Sequence, residues 1–288
     1  MEFTIRLATN ADREYISSWT AETFSWGDYV GETFGDWLEE DTSAVIVADV
    51  RGRAVSLGRI RMVSDTQSWA NAMRVHPEFR RAGIAGAVCN AMWEWARVAG
   101  ARVARLAVED WNEAARDLVA KAGFRPIGDW LWAQRGVGDS SPVPEGNGGM
   151  RVGGYEAIKP ANLAEVEPAL LSWSGGELAR AAHGLFAIGW TWQRLTEAHL
   201  VGAAKHRMLW GGRPGWAYAG SEGDRFDVNW IETNPEDSRA MVRALVERAA
   251  DSGAETMRAM IPDVDWLVQA FRRAGFETGK ITVFALAL

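Results

Sequence analysis

The chain repeats itself. Ala99–Asp110 (AGARVARLAVED) returns as Asp251–Asp263 (DSGAETMRAMIPD), and Lys121–Phe124 (KAGF) returns as Arg273–Phe276 (RAGF). The opening Ile5–Asp12 (IRLATNAD) is matched by Ile158–Glu165 (IKPANLAE). Two copies that share apolar periodicity and breakers are expected to fold alike. A length of 288 residues is enough for two domains. Between the copies, Arg135–Tyr155 is rich in Gly, Pro and Ser, the composition of a linker running into a new strand. The chain thus divides into a first domain (1–135), a linker (136–149) and a second domain (150–288).

In the first half, periodicity predicts strands at Phe3–Leu7, Ala44–Val50, Ala54–Met62, Trp69–Val75 and Arg102–Val108, then Phe124–Ile127 and Asp129–Arg135. Helices are expected at Ala11–Thr20, Phe34–Glu40, Ile84–Ala99 and Asn112–Ala122, the last ended by Gly123. The second half reads similarly, with helices at Ala161–Trp173, Trp190–Leu200, Asp237–Ala250 and Asp265–Ala274. Its strands are expected at Met150–Lys159, His206–Trp210, Trp216–Ala219, Asp227–Glu232, Thr256–Ile261 and Thr282–Leu286. This is an α/β (α+β) pattern in both halves.

Val75–Gly86 (VHPEFRRAGIAG) joins a strand to a helix through a small-residue loop. Outward-facing N–H groups and the positive end of the helix make such a junction an anion cradle. Gly83 lets a pyrophosphate approach the backbone without a Cβ in the way. The spacing Arg80-x-x-Gly83-x-Ala85, after a strand and V-x-P, resembles the acetyl-CoA signature of the GNAT N-acetyltransferase superfamily. Asn112-x-x-Ala115, followed by Gly123-Phe124, resembles that family's N-x-x-A…G-F segment.

The resemblance implies two tandem domains, each a mixed, mostly antiparallel sheet with helices on both faces. It implies acetyl-CoA as co-substrate and no metal. Arg80, Arg81, Ala82, Gly83, Ile84, Ala85 and Gly86 then form the pyrophosphate cradle. Backbone groups of Met73 and Val75 pair with pantetheine where Trp69–Val75 splays from Arg102–Val108. Asn112 and Ala115 hold the pantetheine end, and Asn112 also suits a helix N-cap. Aligning Pro77 with Pro235 puts Ser238, Met241 and Arg243 where Arg80, Gly83 and Ala85 stand, so the second half is expected to be degenerate.

The family's acid and base positions are not filled: Val119, Ala107 and Asn71 stand there. The substitutes are Glu109, two residues after Ala107 and on the same strand face, and Asp28 with Tyr29 in the segment WGDYV. His76 is expected at the surface, and His183, His199 and His206 lack metal-ligand spacing. From Ala21 to Ala44 there are seven carboxylates and no lysine or arginine. Placed beside the acceptor, they attract a cationic amine such as a polyamine, a basic peptide or an amino-containing antibiotic.

Net charge is −7 and no basic patch is evident, which argues against nucleic acid as a partner. A single cysteine, Cys89, fits a reducing cytoplasm and a core role. Neither a signal sequence nor an apolar run of membrane-spanning length is seen, so no membrane partner is expected. The expected assembly is a monomer or homodimer. The leading reading is an acetyl-CoA-dependent N-acetyltransferase acting on a small primary amine. The alternative is a non-catalytic acyl-CoA-binding or regulatory protein, suggested by the missing acid and base.

Overall fold

A computed structural model describes residues 2–24, 27–138 and 158–288. Trp26, residues 139–149 of the expected linker and residues 150–157 of the strand expected at Met150–Lys159 lie outside the described residues. The described residues form two compact units. The first holds the chain through Val108, then Asn112–Pro126 and Phe284–Leu288. The second holds Glu109–Trp111 and Ile127–Val283.

The first unit contains β1 (Thr4–Leu7), α1 (Arg13–Thr20), α2 (Val30–Glu39), β2 (Ser43–Val50), β3 (Arg53–Ser64) and β4 (Gln67–Val75). It continues with α3 (Ile84–Val98), β5 (Val103–Glu109, except Glu109) and α4 (Glu113–Lys121). β1 to β4 pair antiparallel in chain order, and β4 pairs parallel with β5. The run Val45-Ile46-Val47 explains the layering. Ile46 joins the core under α3, while Val45 and Val47 join the core under α1 and α2. A strand buried on both faces reads as a continuous apolar run. Arg51 and Gly52 turn the β2–β3 hairpin with φ of 55° and 80°, and the Gly52 N–H donates to Asp49 Oδ1 at 2.7 Å. Phe284–Leu288 complete this unit, where the Leu288 N–H donates to the Arg102 carbonyl at 3.0 Å.

The second unit begins with most of β6 (Arg125–Gly136) and then β7 (Ile158–Pro160). Next come α5 (Val166–Gly175), α6 (Glu177–Ala181), β8 (Leu185–Ile188), β9 (Thr191–Arg194) and α7 (Glu197–Lys205). The unit continues with β10 (Leu209–Gly212), β11 (Gly215–Glu222), β12 (Arg225–Glu232), α8 (Ser238–Asp251), β13 (Thr256–Pro262), α9 (Asp265–Arg273) and β14 (Glu277–Ala287) as far as Val283. Here too an antiparallel run, β7-β10-β11-β12, ends on a parallel pair, β12 with β13. Apart from β8, β9 and α7, the order of strands and helices is shared, with a parallel pair at the same place, and this is the structural form of the repeat.

The helix expected at Trp190–Leu200 does not form as one element. Gly189, at φ 57°, turns the chain, and Thr191–Arg194 pair with Leu185–Ile188 as a hairpin that buries Trp192 completely. A helix starts only at Glu197, after Thr196. The bulky Trp192 side chain finds its burial in a strand, and tertiary packing overrides the local pattern. The two strands expected at Phe124–Ile127 and Asp129–Arg135 are one, β6, continuous through Gly128. α2 begins at Val30 rather than Phe34, and Asp28 Oδ1 accepts from the Val30 N–H at 3.2 Å, which satisfies one free donor of the first turn. Among the described residues, no helix is long and apolar enough to cross a membrane.

Candidate active site

β4 and β5 are hydrogen-bonded over Gln67–Trp69 and Val103–Arg105, and the ladder then stops. From Ala70 onward the two strands run unpaired with each other, which is the splay expected from the sequence. A bulge accompanies it. Gly58 on β3 faces a register shift on β4, where Ala72 adopts φ 59°. A left-handed alanine stores of the order of 1–2 kcal/mol, a strain retained only when its surroundings enforce it. The bulge re-aims the backbone of Met73 and leaves part of the ladder open. On the α3 side, a Cβ at Gly58 would press on Met73, Met92 and Val88, so an alanine there would displace the ends of the two methionine side chains.

β4 leads through His76-Pro77 into Arg80–Gly83 and then α3. Arg81 and Gly83 both have positive φ, 63° and 78°. Handedness that alternates along a short loop turns successive N–H groups to one side. Gly83 is the N-cap of α3 and no side chain caps its first turn. The loop residues Arg80, Arg81, Ala82 and Gly83 are exposed, Ala85 and Gly86 are half-buried, and Ile84 anchors the helix in the core. Arg80 Nε donates to the Val75 carbonyl at 3.2 Å, which holds its guanidinium over the loop. These elements make an uncapped, accessible helix N-terminus, suited to a phosphate.

Asn112 caps α4, its Oδ1 accepting from the Ala115 N–H at 3.1 Å. Val119 is buried in the α3-side core. Cys89 is buried there as well, and desolvation pushes its thiol up to about 11, so it remains protonated and inert. His76, expected at the surface, is half-buried instead. Its ring lies 6.3 Å from Tyr15 and parallel to it, with Trp19 and Phe79 edge-on at 5.5 and 5.4 Å. Aromatic neighbours from α1 and the loop supply the burial that single-position reading misses.

The carboxylates proposed from sequence have different surroundings. Glu109 lies in the second unit, where Trp132 Nε1 donates to its Oε1 at 3.2 Å. Asp28 has no exposed side-chain surface and pairs with Arg74 Nε at 2.8 Å. Tyr29 packs edge-on against Trp37, and the Arg74 guanidinium lies 5.7 Å from its ring. Sequence reading missed three arginines on the α2 side of the sheet. Arg59 is bonded to Glu40, Arg61 lies 3.7 Å from Glu40, and Arg74 holds Asp28. The available signal was charge at alternate positions of an otherwise apolar strand. Asp28 and Glu40 are thus neutralised internally, while Glu22, Glu32, Asp36, Glu39 and Asp41 are exposed.

The second unit preserves the splay without the cradle. β12 and β13 pair only over Arg225–Val228 and Thr256–Ala259, and β12 has a register shift at the same stage. α8 begins at Ser238, so its first turn takes up the residues aligned with Arg80–Gly83. Met241 and Ser238 are buried, and residues 233–237 contain no positive φ. Trp130, Trp173, Phe186 and Trp230 close around the strands beyond the splay, with a small void beside Asn229.

Residues 12–124 match the acetyltransferase (GNAT) family model. No curated protein matches the sequence. The fold is similar to that of a GCN5-related N-acetyltransferase from Sphaerobacter thermophilus, with a TM-score of 0.66 at 16% identity over 99% of this chain and 95% of that one. It is also similar to a tandem GNAT protein from the clavulanic acid biosynthesis pathway, with a TM-score of 0.60 at 13% identity over 99% and 98% of the two chains. A GCN5-related N-acetyltransferase from Kribbella flavida gives a TM-score of 0.54 at 15% identity, over all of this chain and 71% of that one. At these identities the likeness is one of fold, and the fold is the tandem GNAT arrangement.

Proposed function

We propose that this protein is an acetyl-CoA-dependent N-acetyltransferase whose single cofactor site lies in the first unit. The observation that carries the reading is the bulged, splayed β4 running directly into the uncapped N-terminus of α3. The cradle Arg80–Gly86 receives the pyrophosphate, the open edge at Met73 and Val75 receives pantetheine, and Asn112 with Ala115 lies at its far end. A backbone N–H of the bulge polarises the thioester carbonyl. The neutral amine attacks that carbon. The C–N bond forms, the C–S bond breaks, the thiolate of CoA leaves, and the proton shed by the acylated nitrogen neutralises it. Proximity supplies most of the acceleration, and the ammonium proton must be removed before attack.

Tyr29 is proposed to line the acceptor side. Asp28 contributes by fixing Arg74 rather than by moving a proton, because its carboxylate is already paired. The acceptor is a small primary amine, drawn as its ammonium form by the exposed carboxylates of the α2 region. The second unit is proposed to have lost acetyl-CoA binding.

Titration calorimetry with acetyl-CoA tests the division of labour. One site per chain is the expected result, abolished by an Arg80→Ala/Arg81→Ala double substitution. Two sites would restore a working cradle to the second unit, and absence of binding would remove the transferase reading altogether.

A further inference from the structure

The wall that α2 packs against is basic. In register, Arg59 on β3 faces Asn71 on β4, Arg61 faces Trp69, and Leu57 faces Arg74. Trp69 in turn faces Arg105 on β5. Residues directly opposite one another in a sheet point to the same face. Four guanidinium groups therefore share this face, against the carboxylates of Asp28 and Glu40. Gln67 adds a neutral partner, its Oε1 accepting from Arg105 Nη1 at 2.6 Å. A face lined mainly by one sign of charge attracts the opposite sign.

Arg59 is the centre of this wall. Its side chain is only 7% exposed and bonded to Glu40, with the guanidinium 5.2 Å from the Trp37 ring. Even so, its Nε has no partner. Across the register, Asn71 Oδ1 is also buried and without a partner. Side by side, then, stand an Nε–H without an acceptor and an amide oxygen without a donor. Buried polar groups in folded proteins are nearly always satisfied, so this pairing of opposite deficits points to a ligand. Such a ligand offers an oxyanion to the arginine and an N–H to the asparagine.

We propose that the acceptor carries a carboxylate or phosphate beside its amine, the acid bound at Arg59 and the amine directed by Asn71. The proposal rests on the transferase reading for its chemistry but not for its binding. It narrows the acceptor from polyamines to amines that are zwitterionic. The exposed carboxylates on the α2 side then attract the ammonium end, while the buried arginine selects the acid end.

The test compares matched amines with and without the acid. The pairs are L-phenylalanine with phenethylamine, 4-aminobutyrate with butylamine, and phosphoethanolamine with ethanolamine. Each is titrated into protein saturated with CoA, and each is assayed for CoA release from acetyl-CoA. The acid-bearing member of at least one pair is expected to bind, and to exceed its partner by at least about tenfold, since a site built for a polar group rejects the analogue lacking it. The phosphoethanolamine pair separates phosphate from carboxylate. Arg59→Lys keeps a charge against Glu40 but loses the planar fork, and is expected to erase the preference while acetyl-CoA still binds. Equal or better binding of the acid-free amines, no binding of any acid-bearing amine at millimolar concentration, or a preference that survives Arg59→Lys would each overturn the proposal. Binding of an acid-bearing amine without CoA release would sustain it and overturn the transferase reading instead.

Discussion

Asp28 and Arg74 tie the start of α2 to β4. The carboxylate is fully buried, accepts from the Val30 N–H and pairs with an arginine whose guanidinium also lies 4.8 Å from the Phe24 ring. This one ion pair fixes the start of α2 to the bulged strand. Removing one partner of a buried pair leaves the other charge uncompensated, an effect of about 3–5 kcal/mol. Asp28→Asn retains some hydrogen bonding, so its expected loss is smaller, about 1–3 kcal/mol. Denaturant unfolding measures the stability, and acetyl-CoA titration of the same variant shows whether the cradle is spared. A variant as stable as the parent would mean that Arg74 finds another partner. From sequence, Asp28 stood out only as one carboxylate in an acidic run. Its partner lies on another strand, and pairing over that separation is set by the fold, not by local pattern.

Among the elements, the loop from β4 to α3 was the most legible, because glycine and proline positions report backbone conformation directly. Gly83 at φ 78° and the start of α3 at Ile84 agree with the reading. Gly83 and Gly86 make a controlled comparison. Neither has an atom near its missing Cβ, but only Gly83 sits in the left-handed region. Gly83→Ala is therefore expected to cost about 1 kcal/mol in strain. It is also expected to weaken acetyl-CoA binding by distorting the cradle. Gly86→Ala, within helical backbone, is expected to leave thermal stability unchanged or slightly raised. Calorimetric titration and thermal melts of the two variants decide the matter, and equal behaviour would remove the conformational argument. The arginine wall was not legible in the same way. Arg59 and Arg61 alternate along β3 as exposed residues do, and only the packing of α2 onto that face buries them. The hairpin of β8 and β9 was missed for a related reason: Trp192 gains its burial from tertiary neighbours.

At the scale of the molecule, the repeat announced two similar folds but not where each one ends. The first unit is completed by Phe284–Leu288, from the last strand of the chain. Phe284 is buried in the same core as Val119, Phe124, Met92 and Trp93, and Leu286 and Leu288 pack against it. The Leu288 N–H donates to the Arg102 carbonyl beside β5. Nothing in a local apolar pattern distinguishes a closing strand drawn from nearby sequence from one drawn from the far end. Removing a buried phenylalanine alone costs about 3–5 kcal/mol, and a domain's whole stability is only about 5–15 kcal/mol. Deleting residues 284–288 is therefore expected to unfold much of the first unit and to abolish acetyl-CoA binding. Hydrogen exchange gives the direct readout. The Val103–Val108 amides of β5 should lose protection in the deleted chain, while those of Arg225–Glu232 in β12 retain more of theirs. Phe284→Ala in the full-length chain supplies a milder version, with the same direction and a partial loss of protection. If the deleted chain protects β5 and binds acetyl-CoA as the parent does, the first unit closes without its distant strand.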